Sequence, residues 1–111
     1  MNFQSALLGS HLASHLLQQQ GFLMLTGASA VFTGPVNFAY AYAMTKTTTH
    51  ALALNLAADE TFEPTVVTIL PQTIDTDANR EAMPDADHDS WAPPDKIADL
   101  VFSWSQGKNR P

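Results

Sequence analysis

The chain has 111 residues, 45% of them hydrophobic, so it is long enough for one core and ordinary in composition for a globular protein. A formal net charge of −6, from five Lys and Arg against eleven Asp and Glu, argues against binding to nucleic-acid phosphates. The sequence has no cysteine, no apolar run of membrane-spanning length and no signal-peptide pattern, which predicts a cytoplasmic protein.

The first half of the chain is almost uncharged. Residues 1–58 contain one formally charged side chain, Lys46, whereas all eleven Asp and Glu lie at or after Asp59. Apolar periodicity predicts helices over 4–20 and 38–58 in this half. In the first helix, Leu8, Leu12 and Leu16 form one apolar row. A second row of small residues would let another helix approach closely; it consists of Ser5, Gly9 and Ala13.

Two short apolar runs predict buried strands at 21–27 and 65–70, the second of them β-branched and stopped by Pro71. A loop is predicted at 28–37, and a long acidic loop at 71–92. The last helix is predicted to begin at Pro93–Pro94 and to stop at Gly107. This helix–strand–helix–strand–helix order indicates an α/β fold with a parallel sheet. Because two strands are too few for such a sheet, the chain either dimerises extensively or is part of a larger domain.

Tyr42 and Lys46 are the first candidates for chemistry. They stand at positions i and i+4 of the second helix, so their side chains share a face. A phenol with a pKa near 10 is a poor acid–base catalyst at neutral pH, and a nearby ammonium group lowers the pKa of a phenol by stabilising the phenolate. A Tyr-x-x-x-Lys spacing also arises by chance, so the spacing alone leaves the catalytic interpretation and a purely structural one open.

Other patterns point away from metals, nucleotides and hydrolysis. His11 and His15 are four residues apart but lack a third ligand, so exposed or interface histidines are the preferred interpretation. No G-x-S-x-G, G-x-G-x-x-G or Walker pattern occurs. The segment "MPDADHD" lacks the glycine and the terminal glutamate of an EF-hand loop, which favours a solvated loop.

Taken together, these elements resemble the second half of a short-chain dehydrogenase/reductase. In that family a Tyr-x-x-x-Lys helix follows a strand that ends near a serine, and here Ser29 precedes Tyr42. The next strand of the family leads into a Pro-Gly-x-x-x-Thr turn; here "PQTIDT" keeps Pro71 and Thr76 and has Gln72 in place of the glycine. Four segments narrow the resemblance to the quinonoid dihydropteridine reductases: "SHLASHL", "YAMTKTTTHAL", "ILPQTIDTDANREAMPDADHDSW" and "GKNRP". His50, four residues after Lys46, matches that branch as well.

The resemblance implies a partial Rossmann-type, doubly wound parallel sheet, with residues 1–111 as the C-terminal part of a single domain. It also implies reduction of a quinonoid dihydropterin to the tetrahydropterin by NADH or NADPH. Tyr42 would polarise and protonate the substrate and also contact the cofactor, and Lys46 would hold the nicotinamide ribose and tune Tyr42. Thr76 would contact the carboxamide, and Pro71 and Ile74 would shape the wall over the nicotinamide ring.

Further implications concern assembly and the loop at Met83–Trp91. Family members commonly form homodimers through the two helices that correspond to 4–20 and 38–58. The loop would be a mobile cover on the pterin side. The same resemblance predicts that the dinucleotide-binding strands, the glycine-rich loop and the last strand lie outside this sequence, and that the chain alone is inactive.

Several assignments stay open at this point. The catalytic Asn of the family would fall at Asn2 by distance or at Ser5 by alignment of the helix, and the role of Ser29 is undecided. The preference for NADH or NADPH is also undecided. Two alternative functions remain: another short-chain reductase that acts on carbonyl compounds, and a non-catalytic truncated product that only dimerises.

Overall fold

A computed structural model describes residues 2–34 and 39–111. These residues form two compact units, which meet in sequence between Leu70 and Pro71. The two strands are separated and flanked by helices along the chain, as expected for an α/β fold. The elements are α1 (Asn2–Leu16), β1 (Phe22–Thr26), α2 (Ala30–Thr33), α3 (Tyr40–Ala58), β2 (Thr65–Ile69), α4 (Asp77–Ala82), a 3₁₀ turn (His88–Ser90) and α5 (Pro94–Ser105). No helix in the described ranges is both long and apolar enough to cross a lipid bilayer.

The first unit is built on a parallel pair of strands. β1 pairs with β2 in register, Phe22 opposite Thr65 and Thr26 opposite Ile69, and α3 connects the two strands along the chain. Leu25 and Val67, at the middle of the pair, are buried. The predicted strands and their parallel pairing are therefore confirmed. β1 is one residue shorter than predicted at each end, and β2 begins at the predicted residue and ends one residue earlier.

α3 is regular although its centre reads Thr-Lys-Thr-Thr-Thr. β-Branched residues are weak helix formers because their χ1 freedom is lost against the preceding turn. Here the hydroxyls of Thr45, Thr48 and Thr49 donate to backbone carbonyls three or four residues earlier. The helix begins at Tyr40, and the predicted start at Phe38 lies outside the described residues.

α1 turns a different face inward from the one expected. It packs on α3 and β1, and its buried residues are Ser10 and Ala13. The leucine row that the periodicity marked as the apolar face is exposed, with Leu8 at 59% and Leu16 at 75%. The small residues are therefore buried, because they let the backbone of α1 approach α3 closely, and the leucines remain exposed. The predicted end at residue 20 was also wrong, since the helix ends at Leu16.

Two predicted loops contain helix. The 28–37 segment includes α2 at Ala30–Thr33, and its last three residues lie outside the described part. The 71–92 segment contains α4, whose N-cap is Thr76: the Thr76 hydroxyl accepts a hydrogen bond from the Asn79 N–H at 3.3 Å. A Thr-Asp start is a recognisable helix signal, but six residues are too few to show an apolar period.

The last helix of the second unit ends in a hydrogen-bonded glycine cap. α5 begins at Pro94, with Trp104 buried. After the helix Gly107 has φ of +71°, its N–H donates to Trp104 O at 2.9 Å, and the Lys108 N–H donates to Ser103 O at 3.0 Å. These two bonds form a Schellman motif, which requires the left-handed conformation that glycine adopts without steric cost. The predicted glycine stop is confirmed.

Candidate functional site

Tyr42 and Lys46 meet on the exposed side of α3. The Lys46 ammonium lies 5.7 Å from the centroid of the Tyr42 ring, within the range of a cation–π contact. Tyr42 is 41% exposed, so its phenol can reach a molecule bound from solvent. The spacing prediction that these two side chains share one helix face is confirmed.

Lys46 also binds the end of the neighbouring strand. Its Nζ donates to the Thr26 carbonyl oxygen at 2.8 Å. An ammonium has three donors, so this bond leaves two of them for other acceptors. The lone charge in the first half of the chain is therefore anchored to β1 and oriented beside a phenol.

His50 binds the backbone just after the end of β1. It lies one helical turn after Lys46, and its Nε2 accepts the Ala28 N–H at 3.4 Å. The Phe32 ring packs edge-on against the imidazole with centroids 4.7 Å apart. Burial, and secondly the positive charge of Lys46, hold the pKa of His50 below its ordinary value.

Ser29 follows Ala28 and is the N-cap residue of α2. It is half-buried, and its carbonyl oxygen accepts the Phe32 N–H at 2.9 Å. Ser29 therefore lies at the carboxyl end of β1, on the stretch of chain that Lys46 and His50 hold.

The other predicted cofactor residues belong to the second unit. Pro71 is half-buried, and Ile74 forms an isolated parallel bridge with Ala92. The Thr76 hydroxyl caps α4 as an acceptor, which leaves its O–H free to act as a donor in another bond. Their assignment to the nicotinamide remains a prediction.

Charged and aromatic side chains organise the second unit. Arg80 binds Asp75 through two nitrogens, one of them at 2.8 Å, and this ion pair holds the pKa of Asp75 below its ordinary range. Arg80 Nη1 also lies 3.3 Å from His88 Nδ1, while His88 Nε2 lies 2.9 Å from the Met83 carbonyl oxygen. The two distances fit one neutral tautomer, with Nε2–H donating and Nδ1 accepting. The segment predicted to be a solvated loop is thus held by polar contacts of His88 with Arg80 and with the Met83 carbonyl.

A metal site finds no support in the described residues. His11 and His15 are exposed and contact each other edge to face, with ring centroids 4.7 Å apart. No group of three or more potential ligands occurs within residues 2–34 and 39–111. Both histidines are thus exposed along α1, in line with their interpretation as exposed or interface histidines.

A comparison with known proteins identifies a similar protein. Over 108 residues the chain is 40% identical to a dihydropteridine reductase of Dictyostelium discoideum. This chain resembles a dihydropteridine reductase. The match includes 95% of the chain and 46% of the Dictyostelium reductase, so the chain spans about half the length of that relative. No protein-family model matches the chain. The predicted resemblance to a dihydropteridine reductase is therefore confirmed, and an extent of 46% is consistent with a C-terminal portion.

Sequence reasoning missed the contacts that fix this site. The bonds from Lys46 to Thr26 and from Ala28 to His50 join residues that are 20 and 22 positions apart, and no local pattern reports on such pairs. Two features of the sequence could have pointed to these contacts. His50 shares a helix face with Lys46 by spacing, and Gly27, at the end of the predicted strand, has no side chain to prevent the close approach of another residue.

Proposed function

We propose that residues 1–111 form the C-terminal part of a single short-chain dehydrogenase/reductase domain that reduces quinonoid dihydropterin to tetrahydropterin with NADH or NADPH. The observation that carries the proposal is the 40% identity to a dihydropteridine reductase over 95% of the chain. The Tyr42–Lys46 pair supports it, because the reduction needs a proton as well as a hydride, and the Tyr42 phenol beside the Lys46 ammonium is suited to donate that proton. A Rossmann-type sheet, of which β1 and β2 would be two strands, and a cytoplasmic location belong to the same proposal.

Each residue has a distinct task in the proposed reaction. A nicotinamide cofactor supplies the hydride when bound. Tyr42 binds the pterin by a hydrogen bond and provides the proton, since its exposed phenol reaches the surface. Lys46 keeps two N–H donors beyond its bond to Thr26, and these would hold the ribose hydroxyls.

Three residues of the second unit are proposed to contact the nicotinamide. The Thr76 O–H would donate to the carboxamide while its oxygen caps α4. Pro71 and Ile74 would contact the ring by their apolar surfaces. The segment from Met83 to Trp91 would cover the pterin, and its ties through His88 would then limit how far it moves.

A chimera tests the proposal directly. In this chimera the matching segment of the Dictyostelium reductase is replaced by this chain. The rest of the Dictyostelium reductase then supplies the other half of the domain. We expect NADH-dependent turnover of quinonoid dihydropterin and little turnover of simple ketones. A chimera that is folded by circular dichroism and binds NADH, yet reduces no pterin, would contradict the proposal. Reduction of ketones instead would favour the carbonyl-reductase alternative.

We further propose that the protein forms a homodimer through α1 and α3. Exposed leucines support this: along α1 Leu8, Leu12 and Leu16 are 59%, 47% and 75% exposed, and Leu54 on α3 is 72% exposed. Such a row is unusual on a free surface and fits an isologous contact.

Leu12→Glu in the chimera should convert the dimer to a monomer, because a carboxylate buried at the contact would lack a partner. Ser14→Glu, on the same helix at an exposed position, should leave the dimer intact. Sedimentation velocity measures both. An unchanged dimer for Leu12→Glu would place the interface elsewhere. Ala13, on the small-residue row, is a poorer test, since it is buried within the chain and a large residue there would disturb the fold itself.

A further inference from the structure

Three consecutive residues at the end of β1 are each held by a different side chain or strand. The Thr26 carbonyl accepts from Lys46 Nζ at 2.8 Å, and the Ala28 N–H donates to His50 Nε2 at 3.4 Å. Between them the Gly27 N–H donates to the Ile69 carbonyl of β2 at 2.9 Å. Lys46 and His50, one turn apart on α3, therefore bracket the turn from the same helix.

The imidazole also fills space against the turn. A methyl group added to Gly27 would overlap the His50 ring and would lie 3.1 Å from the Thr68 methyl group. The Phe32 ring packs on the imidazole from α2. Glycine at 27 and histidine at 50 are thus matched in shape, beyond their part in the hydrogen bonds.

We propose that His50 is a positioning residue for Lys46: by accepting the Ala28 N–H and packing on Gly27, it fixes the turn that presents the Thr26 carbonyl to the ammonium. The inference rests on the proposed function, because Lys46 would act on the cofactor ribose. His50 acts only through this turn. Its loss lets residues 27–28 relax, moves the carbonyl and leaves Lys46 poorly oriented for the cofactor.

The role requires a neutral imidazole, since a protonated Nε2 carries a hydrogen and cannot accept the Ala28 N–H. Burial and Lys46 both lower the pKa of His50. Lys46 on α3 is the charged group that acts on His50. The imidazole contacts Ala28, which follows β1, and Phe32 on α2, and Thr68 of β2 lines the same pocket; none of these three residues ionises. The bond is fully present above the ordinary pKa of about 6.5 and is lost as pH falls through the lowered folded-state value.

Two substitutions in the chimera separate the hydrogen bond from the packing. His50→Gln keeps an acceptor at similar reach, and His50→Leu keeps a similar volume without one. We expect His50→Leu to raise the KM for NADH about tenfold with kcat within about twofold, the loss typical of a buried donor left unpaired. His50→Gln should stay within about twofold of the parent. It should also lack the rise in KM that is expected of the parent as pH falls through the lowered pKa of His50. An unchanged KM in His50→Leu, or equal damage in both variants, would overturn the inference.

A thermodynamic cycle keeps the test independent of turnover. Gly27→Ala should destabilise the chimera, because the new methyl group collides with the imidazole. Adding His50→Ala should recover part of that loss, the remainder reflecting the Thr68 contact. Thermal unfolding of the four proteins measures the coupling. Strict additivity would overturn the inference whether or not the chimera reduces pterins, whereas coupling in a folded chimera without turnover would count against the proposed function alone.

Discussion

Tyr42→Phe in the chimera is expected to lower kcat by about 10²–10⁴-fold, because only the proton-transfer group is lost. NADH binding should stay near that of the parent, since the ring and its contact with Lys46 remain. Stopped-flow measurement of hydride transfer and NADH titration read the two effects separately. Tyr40→Phe is the matched control: Tyr40 begins the same helix and is 71% exposed, so its hydroxyl should be dispensable. Near-normal turnover in Tyr42→Phe would refute the assignment.

The partner substitution has a different expected signature. Lys46→Ala removes the ammonium that would hold the ribose and also the bond to the Thr26 carbonyl. We therefore expect a lower kcat together with a higher KM for NADH, in contrast to the kcat effect alone in Tyr42→Phe. Lys46→Met, which keeps the apolar stem, should behave in the same way if the charge is what matters. Restored function in Lys46→Met would show that packing of the stem suffices.

The positions of the strands and helix ends were easier to predict from the sequence than the face that a helix buries. The strands at 22–26 and 65–69 and the stop at Gly107 follow from local chemistry: two short apolar runs, the second of them β-branched, and a glycine at a left-handed position. The inward face of α1 does not. Its leucine period is stronger than that of its small residues, so a local reading places the leucines inside. Close packing on α3 favours Ser10 and Ala13 instead, and only tertiary contacts reveal that choice.

The site shows the same division. The shared face of Tyr42 and Lys46 follows from helix geometry alone. The anchoring of Lys46 on Thr26 depends on how α3 lies beside β1, which no local spacing specifies. The order within 71–92 likewise comes from long side chains: Arg80 reaches Asp75 and His88, and these ties, rather than an apolar period, hold the segment. Because polar contacts of this kind do not follow a regular spacing, the apolar periodicity of the sequence does not reveal them.

The surface of the chain bears on whether it can work alone. Among the described residues no large side chain is fully buried, and long apolar side chains lie open, with Met44 at 70% and Phe102 at 68% exposed. A two-stranded sheet is marginal by itself, and open apolar surface favours association. Residues that bury so little apolar area gain little of the free energy that must offset the chain entropy of folding.

The chain of 111 residues by itself is expected to show no saturable NADH binding and no pterin turnover. Affinity for a dinucleotide depends on a glycine-rich turn and helix N-terminus that receive the pyrophosphate, and the sequence has no G-x-G-x-x-G pattern. The nicotinamide-end contacts proposed for Tyr42, Lys46 and Thr76 cannot replace those interactions. Quenching of the buried Trp91 and Trp104 by NADH measures binding, with light scattering to detect aggregates and the chimera as positive control. Saturable micromolar quenching of a monodisperse chain would show that these contacts suffice, and would overturn the expectation.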